Sequence, residues 1–317
     1  MQFNAGKILL LTTVLFVSAC QRLPVPGSAQ ADPAKRGPKQ AAGTYGPPVT
    51  LGTIRNSSVT ESSGLVASRS MPGSYWTHND SGDGPYLYAI AATGESRGVL
   101  KVTGALAIDW EDIAAGPGPM ANKSYLYVGD IGDNNSVRTE IVVYRVPEPG
   151  SIDTKSTKAK PQLSAPAEAF HLRYPDGSHD AEALLVHPTT GDLYIVTKVA
   201  FASPGVYKAA APLNAGKVTM LTRVGELKLP SLFGGIITGG DISPDGTRVA
   251  LCDYFGGYEA VLPKSSKAFD DIWKERFVSI NLGKQKQREG IAYRLDGKAL
   301  LTTSEGVSSP VIEVVRR

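Results

Sequence analysis

Gly104-Ala-Leu-Ala-Ile-Asp109-Trp-Glu111-Asp112-Ile-Ala-Ala-Gly116, followed by Ser124-Tyr-Leu-Tyr-Val-Gly-Asp130-Ile-Gly-Asp133-Asn-Asn135, decides how this chain is read. It spells two short strands joined by a turn at Pro117, Gly118, Pro119 and Asn122. The first strand is expected to start just after Asp109, Glu111 and Asp112, and the second to end at Asp130. A hairpin returns the start of one strand and the end of the other to the same edge. The two acidic groups should therefore face each other.

Four further units repeat this arrangement. Glu61-Ser-Ser-Gly64 precedes a strand that pairs with Tyr75 to Asp80, and His179-Asp180-Ala-Glu182-Ala183 precedes one paired with Asp192 to Lys198. Gly239-Gly-Asp241 goes with Arg248 to Asp253, and Arg288-Glu289-Gly290 with Ala299 to Glu305. Aligned on Gly64, Asp112, Ala183, Asp241 and Gly290, the units recur about 48 to about 71 residues apart, a spacing suited to propeller blades with variable loops.

Each unit carries a third strand: Tyr86 to Ala91, Ile141 to Val146, Val206 to Ala210, Tyr258 to Leu262 and Val311 to Val315. Four carry a fourth: Gly98 to Thr103, Ala167 to Tyr174, Val218 to Leu229 and Arg276 to Leu282. The fifth unit ends without one, and the strand Val49 to Arg55 lies unassigned before the first. A closed ring in which that strand completes the last blade resolves both and removes exposed sheet edges. The reading is an all-β chain, a single β-propeller over 49–317, five-bladed by this count, with the long third unit leaving room for a sixth blade. One helix is expected, over Ser265 to Lys274, with Ser265 or Ser266 as N-cap.

Residues 1–19 place Lys7 before the apolar run Ile8 to Val17 and end in small residues before Cys20. The run is too short to span a bilayer and reads as a secretory signal. Val17-Ser-Ala-Cys20 resembles the lipobox of bacterial lipoproteins, which implies lipidation at Cys20 and a lipid anchor in the cell envelope; the alternative is an ordinary signal peptide that contains a cysteine. Gln21 after Cys20 favours the outer membrane by the sorting habit of such lipoproteins. Residues 20–48, rich in Pro, Ala and Gly, read as a disordered tether. The second of the two cysteines, Cys252, falls in an apolar strand and reads as a buried small hydrophobe.

With 317 residues, 42% apolar and 20% charged, the chain has ample core material. Its formal charge of +3 and the lack of basic runs interleaved with aromatics exclude a nucleic-acid partner. A monomer is expected.

The start-of-blade segments Glu61-Ser-Ser-Gly-Leu, Asp109-Trp-Glu-Asp-Ile-Ala and Glu289-Gly-Ile-Ala-Tyr, with Thr303-Ser-Glu-Gly, resemble those of secreted bacterial propellers of the phytase-like (esterase-like activity of phytase) and SdiA-regulated families. Thr77-His-Asn-Asp-Ser-Gly-Asp and Val128-Gly-Asp-Ile-Gly-Asp-Asn place the chain nearer to an uncharacterised secreted group. The resemblance spans about residues 50–317. It implies the propeller fold and, as one activity, calcium-dependent phosphoester hydrolysis, although the full set of acidic motifs of calcium-dependent phytases is not present.

If the first strand of each blade is innermost, Glu61, Asp80, Asp109, Glu111, Asp112, Asp130, Asp241, Asp253, Glu289 and Glu305 ring one channel mouth, with Lys198 replacing an acid in the third unit. Such a ring raises carboxylate pKa values or recruits cations. All-oxygen ligands favour calcium. Asp80-Ser-Gly-Asp83 and Asp130-Ile-Gly-Asp133 alternate acids with glycine as calcium loops do, and make Asp80, Asp83, Asp130 and Asp133 the candidate metal set. Backbone-capping Asx-turns explain the same residues. His179 with Asp180 and Glu182 is the best acid–base candidate. Trp76, Trp110 and Trp273 are candidates for a ligand groove, with Trp110 also placed to pack between blades.

The function that follows is a tethered, extracytoplasmic propeller binding a ligand or envelope protein over an acidic mouth, with calcium as the candidate ion. The alternatives are a calcium-dependent phosphoesterase and a lyase or glycosidase using paired carboxylates.

Overall fold

The computed structural model describes residues 44–231 and 234–317. The expected leader, Cys20 and most of the expected tether lie outside these residues.

Five four-stranded antiparallel blades follow one another around an axis. From the innermost strand outward, blade I is Ser62–Ala67, Ser74–Asn79, Tyr86–Ala91 and Ser96–Thr103; blade II is Trp110–Pro117, Ser124–Asp130, Ile141–Pro147 and Glu168–Arg173. Blade III is Ala181–Val186, Leu193–Thr197, Gly205–Ala209 and Thr222–Glu226; blade IV is Ile237–Ile242, Arg248–Asp253, Gly257–Val261 and Val278–Ile280. Blade V takes Arg288–Tyr293, Ala299–Ser304 and Pro310–Val315 from the end of the chain and Val49–Thr53 from its start. The closing strand pairs Val49 with Glu313 and Thr53 with Pro310. Pairing extends into the expected tether: Tyr45 bridges Arg316, the Gly46 amide donates to the Val315 carbonyl at 2.8 Å, and the Tyr45 hydroxyl donates to Glu259 at 2.6 Å. The docked segment therefore begins no later than Thr44.

The inner strands are buried along their length, except for half-buried Pro117 at the end of that of blade II and half-buried Asp241 in that of blade IV, because blades cover both of their faces. Five apolar clusters fill the five spaces between blades, and one of them joins Ile54 and Leu65 to Ala292, Leu301 and Val311, sealing blade I against blade V. Cys252 lies in the cluster between blades IV and V as a free thiol.

The extra length of the middle units goes to sheet edges, not to a sixth blade. Gln162–Pro166 leaves blade II and pairs in parallel with the outer strand of blade I. The expected strand Val218 to Leu229 divides at buried Leu221: Thr219–Met220 joins the outer edge of blade II, and Thr222–Glu226 completes blade III. Both devices cover unpaired edges. The expected helix is a 3-10 segment, Phe269–Lys274, whose N-cap Ala268 offers no side-chain bond; Ser266 instead turns back to the Pro263 carbonyl. Phe269 and Trp273 pack on Tyr194, so this turn caps the flank of blades III and IV.

Candidate functional site

Each inner strand carries a bulge at the same place. The register against the second strand breaks between Ser62 and Leu65, Trp110 and Asp112, Ala181 and Ala183, Ile237 and Gly239, and Arg288 and Gly290. Glu111 and Asp112 therefore lie inside the strand of blade II, and only Asp109 lies before it. The bulge residues are Ser63, Glu111, Glu182, Thr238 and Glu289, and the residues after them are Gly64, Asp112, Ala183, Gly239 and Gly290. In blade IV the equivalent of Asp112 is thus Gly239, two positions before the Asp241 chosen from sequence; the Gly239-Gly240 pair was the missed signal.

The second of these positions closes the axis. A Cβ at Gly239 would lie 2.1 Å from the Glu289 carbonyl oxygen, and one at Gly64 would lie 2.7 Å from Asp112 Oδ1, so neighbouring backbones touch there. Asp112 is the exception among small residues. It is 1% exposed, and its carboxyl accepts the amides of Ile113 at 2.8 Å, Leu184 at 2.9 Å and Gly240 at 3.3 Å. It ties three blades together and is a plug, not a mouth ligand. Burial pushes its pKa well above the carboxylate range, against the three amides.

The bulge position opens toward the mouth. Glu111, Glu182 and Glu289 are each at most 5% exposed. Asp80, Asp109 and Glu111 bring carboxylate oxygens within 4.8 Å of one another. Glu111 Oε1 and Asp109 Oδ2 rest against Gly132, where a Cβ would lie 2.2 Å and 2.5 Å from them, so only glycine leaves this cradle open. Burial, then the nearby Asp80, raises the Asp109 pKa to about 6. Burial and then Glu182 push Glu111 and Glu289 far up. Asp80 contributes to the upward shift of Glu61, Asp109, Glu111, Glu182 and Glu289, which makes it the common neighbour of the group.

Lys198 is ion-paired with Glu182 and donates to the Tyr254 hydroxyl at 3.1 Å. Burial lifts Glu182 and Lys198 pulls it back, leaving a pKa of about 7. Burial works against the Lys198 charge, and Glu182 outweighs it. Glu289 lies beside Glu305, and its Oε2 is buried with no hydrogen-bond partner. Glu61 and Glu305 form a backbone bridge at the rim, and Gln287 donates to Glu305 at 2.7 Å.

Other expected site residues have separate duties. The candidate metal set does not gather: Asp83 takes the Tyr88 hydroxyl at 2.8 Å and pairs with Lys158, and Asp133 accepts the amides of Val137 at 2.9 Å and Arg138 at 2.7 Å. Asp130 pairs with Arg138 at 2.8 Å and accepts the Ile108 and Asp109 amides at 3.0 and 3.2 Å, which presents Asp109 to the cluster. Asp253 caps a turn through the Phe255 and Gly256 amides and the Tyr258 hydroxyl. Asp241 accepts the Tyr293 amide at 2.8 Å, further down its strand. His179 leaves Asp180 and Glu182: its Nε2 meets Asp176 at 2.9 Å and the Tyr207 hydroxyl at 3.0 Å, and its ring packs edge-on to Tyr174. Asp180 accepts the Asp133 amide at 2.9 Å. Trp76, Trp110 and Trp273 are core residues, not groove walls. Sequence reasoning missed Gly132, Arg138 and Tyr254, which shape the mouth from the loops after the second strands.

Those loops, and the ones entering the inner strands, also carry Leu106, Ile108, Val137, Phe201, Phe255 and Val307, each at least 60% exposed. Among the described residues, the one other large apolar side chain as exposed is Leu163, which lies elsewhere. An acidic pit is thus bordered by an apolar rim at one end of the axis.

No family model matches the chain, and no curated protein does. Solved structures match weakly. Hydrazine synthase of Kuenenia stuttgartiensis aligns at 15% identity and a TM-score of 0.38 over 80% of this chain, which spans 58% of the length of that one. The RRP9 WD40 repeats align at 12% and 0.37 over 81% of this chain and 67% of theirs. U3-55K aligns at 9% and 0.42 over 86% of this chain and all of its own.

Proposed function

We propose that the mouth binds a positively charged ligand or partner, with a hard divalent cation such as calcium held by Asp80, Asp109 and Glu111. The carrying observation is that these three carboxylates converge and, among the described residues, none of them is ion-paired with a Lys or Arg: Arg138, whose field reaches Asp109, pairs with Asp130, and Lys198 pairs with Glu182. Calcium takes six to eight oxygen ligands, and three carboxylates supply part of that shell and leave room for water or ligand oxygens. The exposed apolar residues around the mouth fit a partner contact, since clustered exposed apolar side chains mark interaction sites. The same open shell is the support for the alternative reading, a phytase-like phosphoesterase. With residues 1–19 as a lipoprotein signal and Cys20 lipidated, the propeller sits in the cell envelope on a short tether.

Calcium titration of the melting temperature tests the reading. At one hundred times its Kd, a ligand of the folded state adds about 2.7 kcal/mol, a rise of roughly 5 °C for a domain of this size, whose melting entropy is about 2.1 cal/mol/K per residue. Glu111→Gln loses most of that rise. No calcium response in the wild type, or an equal one in Glu111→Gln, overturns the metal site. Chelator-sensitive turnover of a phosphoester replaces binding by hydrolysis.

A further inference from the structure

The opposite end of the axis is built differently. There the connections between first and second strands of blades I and II enclose a cleft of about 500 Å³ lined by Arg69, Ser70, Gly116, Asn122, Lys123 and Ser124, with Pro188 of blade III at its side. Its charged side chains are both cations, and three of its donor groups have nothing to donate to among the described residues. Half-buried Arg69 makes no hydrogen bond or ion pair, exposed Lys123 makes no side-chain contact of either kind, and the Ser124 hydroxyl is buried without a partner.

The two carboxylates whose field reaches Arg69 accept no hydrogen bond from it. Glu148 accepts Ser68 Oγ at 2.6 Å, Trp76 Nε1 at 3.0 Å, and the amide and hydroxyl of Ser70 at 3.1 and 3.0 Å. Asp241 accepts the Tyr293 amide. A guanidinium presents five donors and stays charged. A half-buried one with all five free is a costly arrangement unless an anion completes it.

We propose that this cleft binds the phosphate group of a small phosphorylated ligand. Arg69 offers its planar fork to two oxygens, Lys123 a point charge, and Ser124 a hydroxyl donor to a third oxygen. Three separate donor groups match a tetrahedral oxyanion better than the two oxygens of a carboxylate. The cleft falls in the size range of small-molecule pockets, so the phosphate is one end of a larger molecule. The site is independent of the acidic mouth and stands whether or not calcium binds there.

Inorganic phosphate is titrated into the full chain at constant ionic strength set with chloride, and binding is followed by calorimetry and by the melting temperature. Acetate serves as the carboxylate control. Wild type binds phosphate in preference to acetate, Arg69→Gln weakens phosphate at least tenfold, and Lys123→Gln weakens it severalfold. Lys123 is exposed, so its variant keeps the test alive if Arg69→Gln misfolds. A parallel arm with phosphatidic acid vesicles distinguishes a lipid headgroup from a soluble phosphoester, both read through the same Arg69 dependence. No phosphate binding beyond chloride, equal binding of acetate, or unchanged phosphate binding in Lys123→Gln and Arg69→Gln overturns the proposal.

Discussion

Replacing Asp112 tests how the axis is closed. Its carboxyl is the shared acceptor for the Ile113, Leu184 and Gly240 amides, which belong to three blades. In Asp112→Ala these donors remain buried with nothing to receive them. Each such loss costs about 1–3 kcal/mol, and the 3.3 Å bond to Gly240 the least, so the sum is about 3–6 kcal/mol. That is a large part of the 5–15 kcal/mol typical of a whole domain. Asp112→Asn keeps one oxygen for Leu184 and Gly240 and sets its amide nitrogen against the Ile113 amide, so it loses less than half as much. Urea unfolding with linear extrapolation reads the difference, and the slope should stay unchanged. Asp112→Ala within about 1 kcal/mol of wild type would refute the plug, because unmade bonds at a closed axis have no water to replace them. Asp112→Asn should retain the calcium response of the mouth, since its carboxyl does not face that site.

Deleting residues 44–53 removes the outer strand of blade V and should abolish cooperative unfolding; a truncated chain that melts like the whole one contradicts closure by the N-terminal strand. Asp241 is held near pKa 7, chiefly by burial, against 3.8 for the free group, so the folded state binds its proton more tightly. The stability this gives is complete below about pH 4 and is lost as pH rises toward 7, at no more than about 1.4 kcal/mol per pH unit. Asp241→Asn should flatten that part of the stability–pH curve, and a slope equal to that of wild type would count against it. Cys20→Ser should release the protein from the membrane fraction with the propeller folded; continued membrane association would require another anchor.

The blade count was legible because inner strands of a propeller repeat one pattern, and the missing strand of the last unit pointed to Val49–Thr53. Local order failed where tertiary pairing overrode propensity. Leu221 is pulled into the space between blades, and its burial splits a strand that looked continuous. Ser265 and Ser266 offered a cap that a six-residue 3-10 turn does not use. At the mouth, the equivalence of Glu111, Glu182 and Glu289 could be read from spacing, but a bulge shifts which neighbour faces the axis. Asp112 and Glu111 are adjacent in sequence, yet one ties three blades and the other faces the pit. The loop acids Asp83, Asp130 and Asp133 looked like ligands because acids next to glycine also cap turns, and sequence cannot tell which partner an oxygen takes.

The bulge ring itself separates closure from charge. In blades I and IV it carries hydroxyls, and both are used for joining: Ser63 donates to the Glu111 carbonyl at 2.7 Å and Thr238 to the Arg288 carbonyl at 2.8 Å. A ring that only had to close would repeat that solution five times. In blades II, III and V the same position carries glutamates that join nothing by their side chains to the next inner strand, and Lys198 neutralises one of the three. Burying Glu111 near Asp80 and Asp109, and Glu289 near Asp80 and Glu305, costs stability through desolvation and mutual repulsion. Local rules broken at one place, in a fold that obeys them elsewhere, mark a functional site more often than a structural one. A positive ligand is the occupant that would offset both costs at once, so the response to calcium measures the charge imbalance directly.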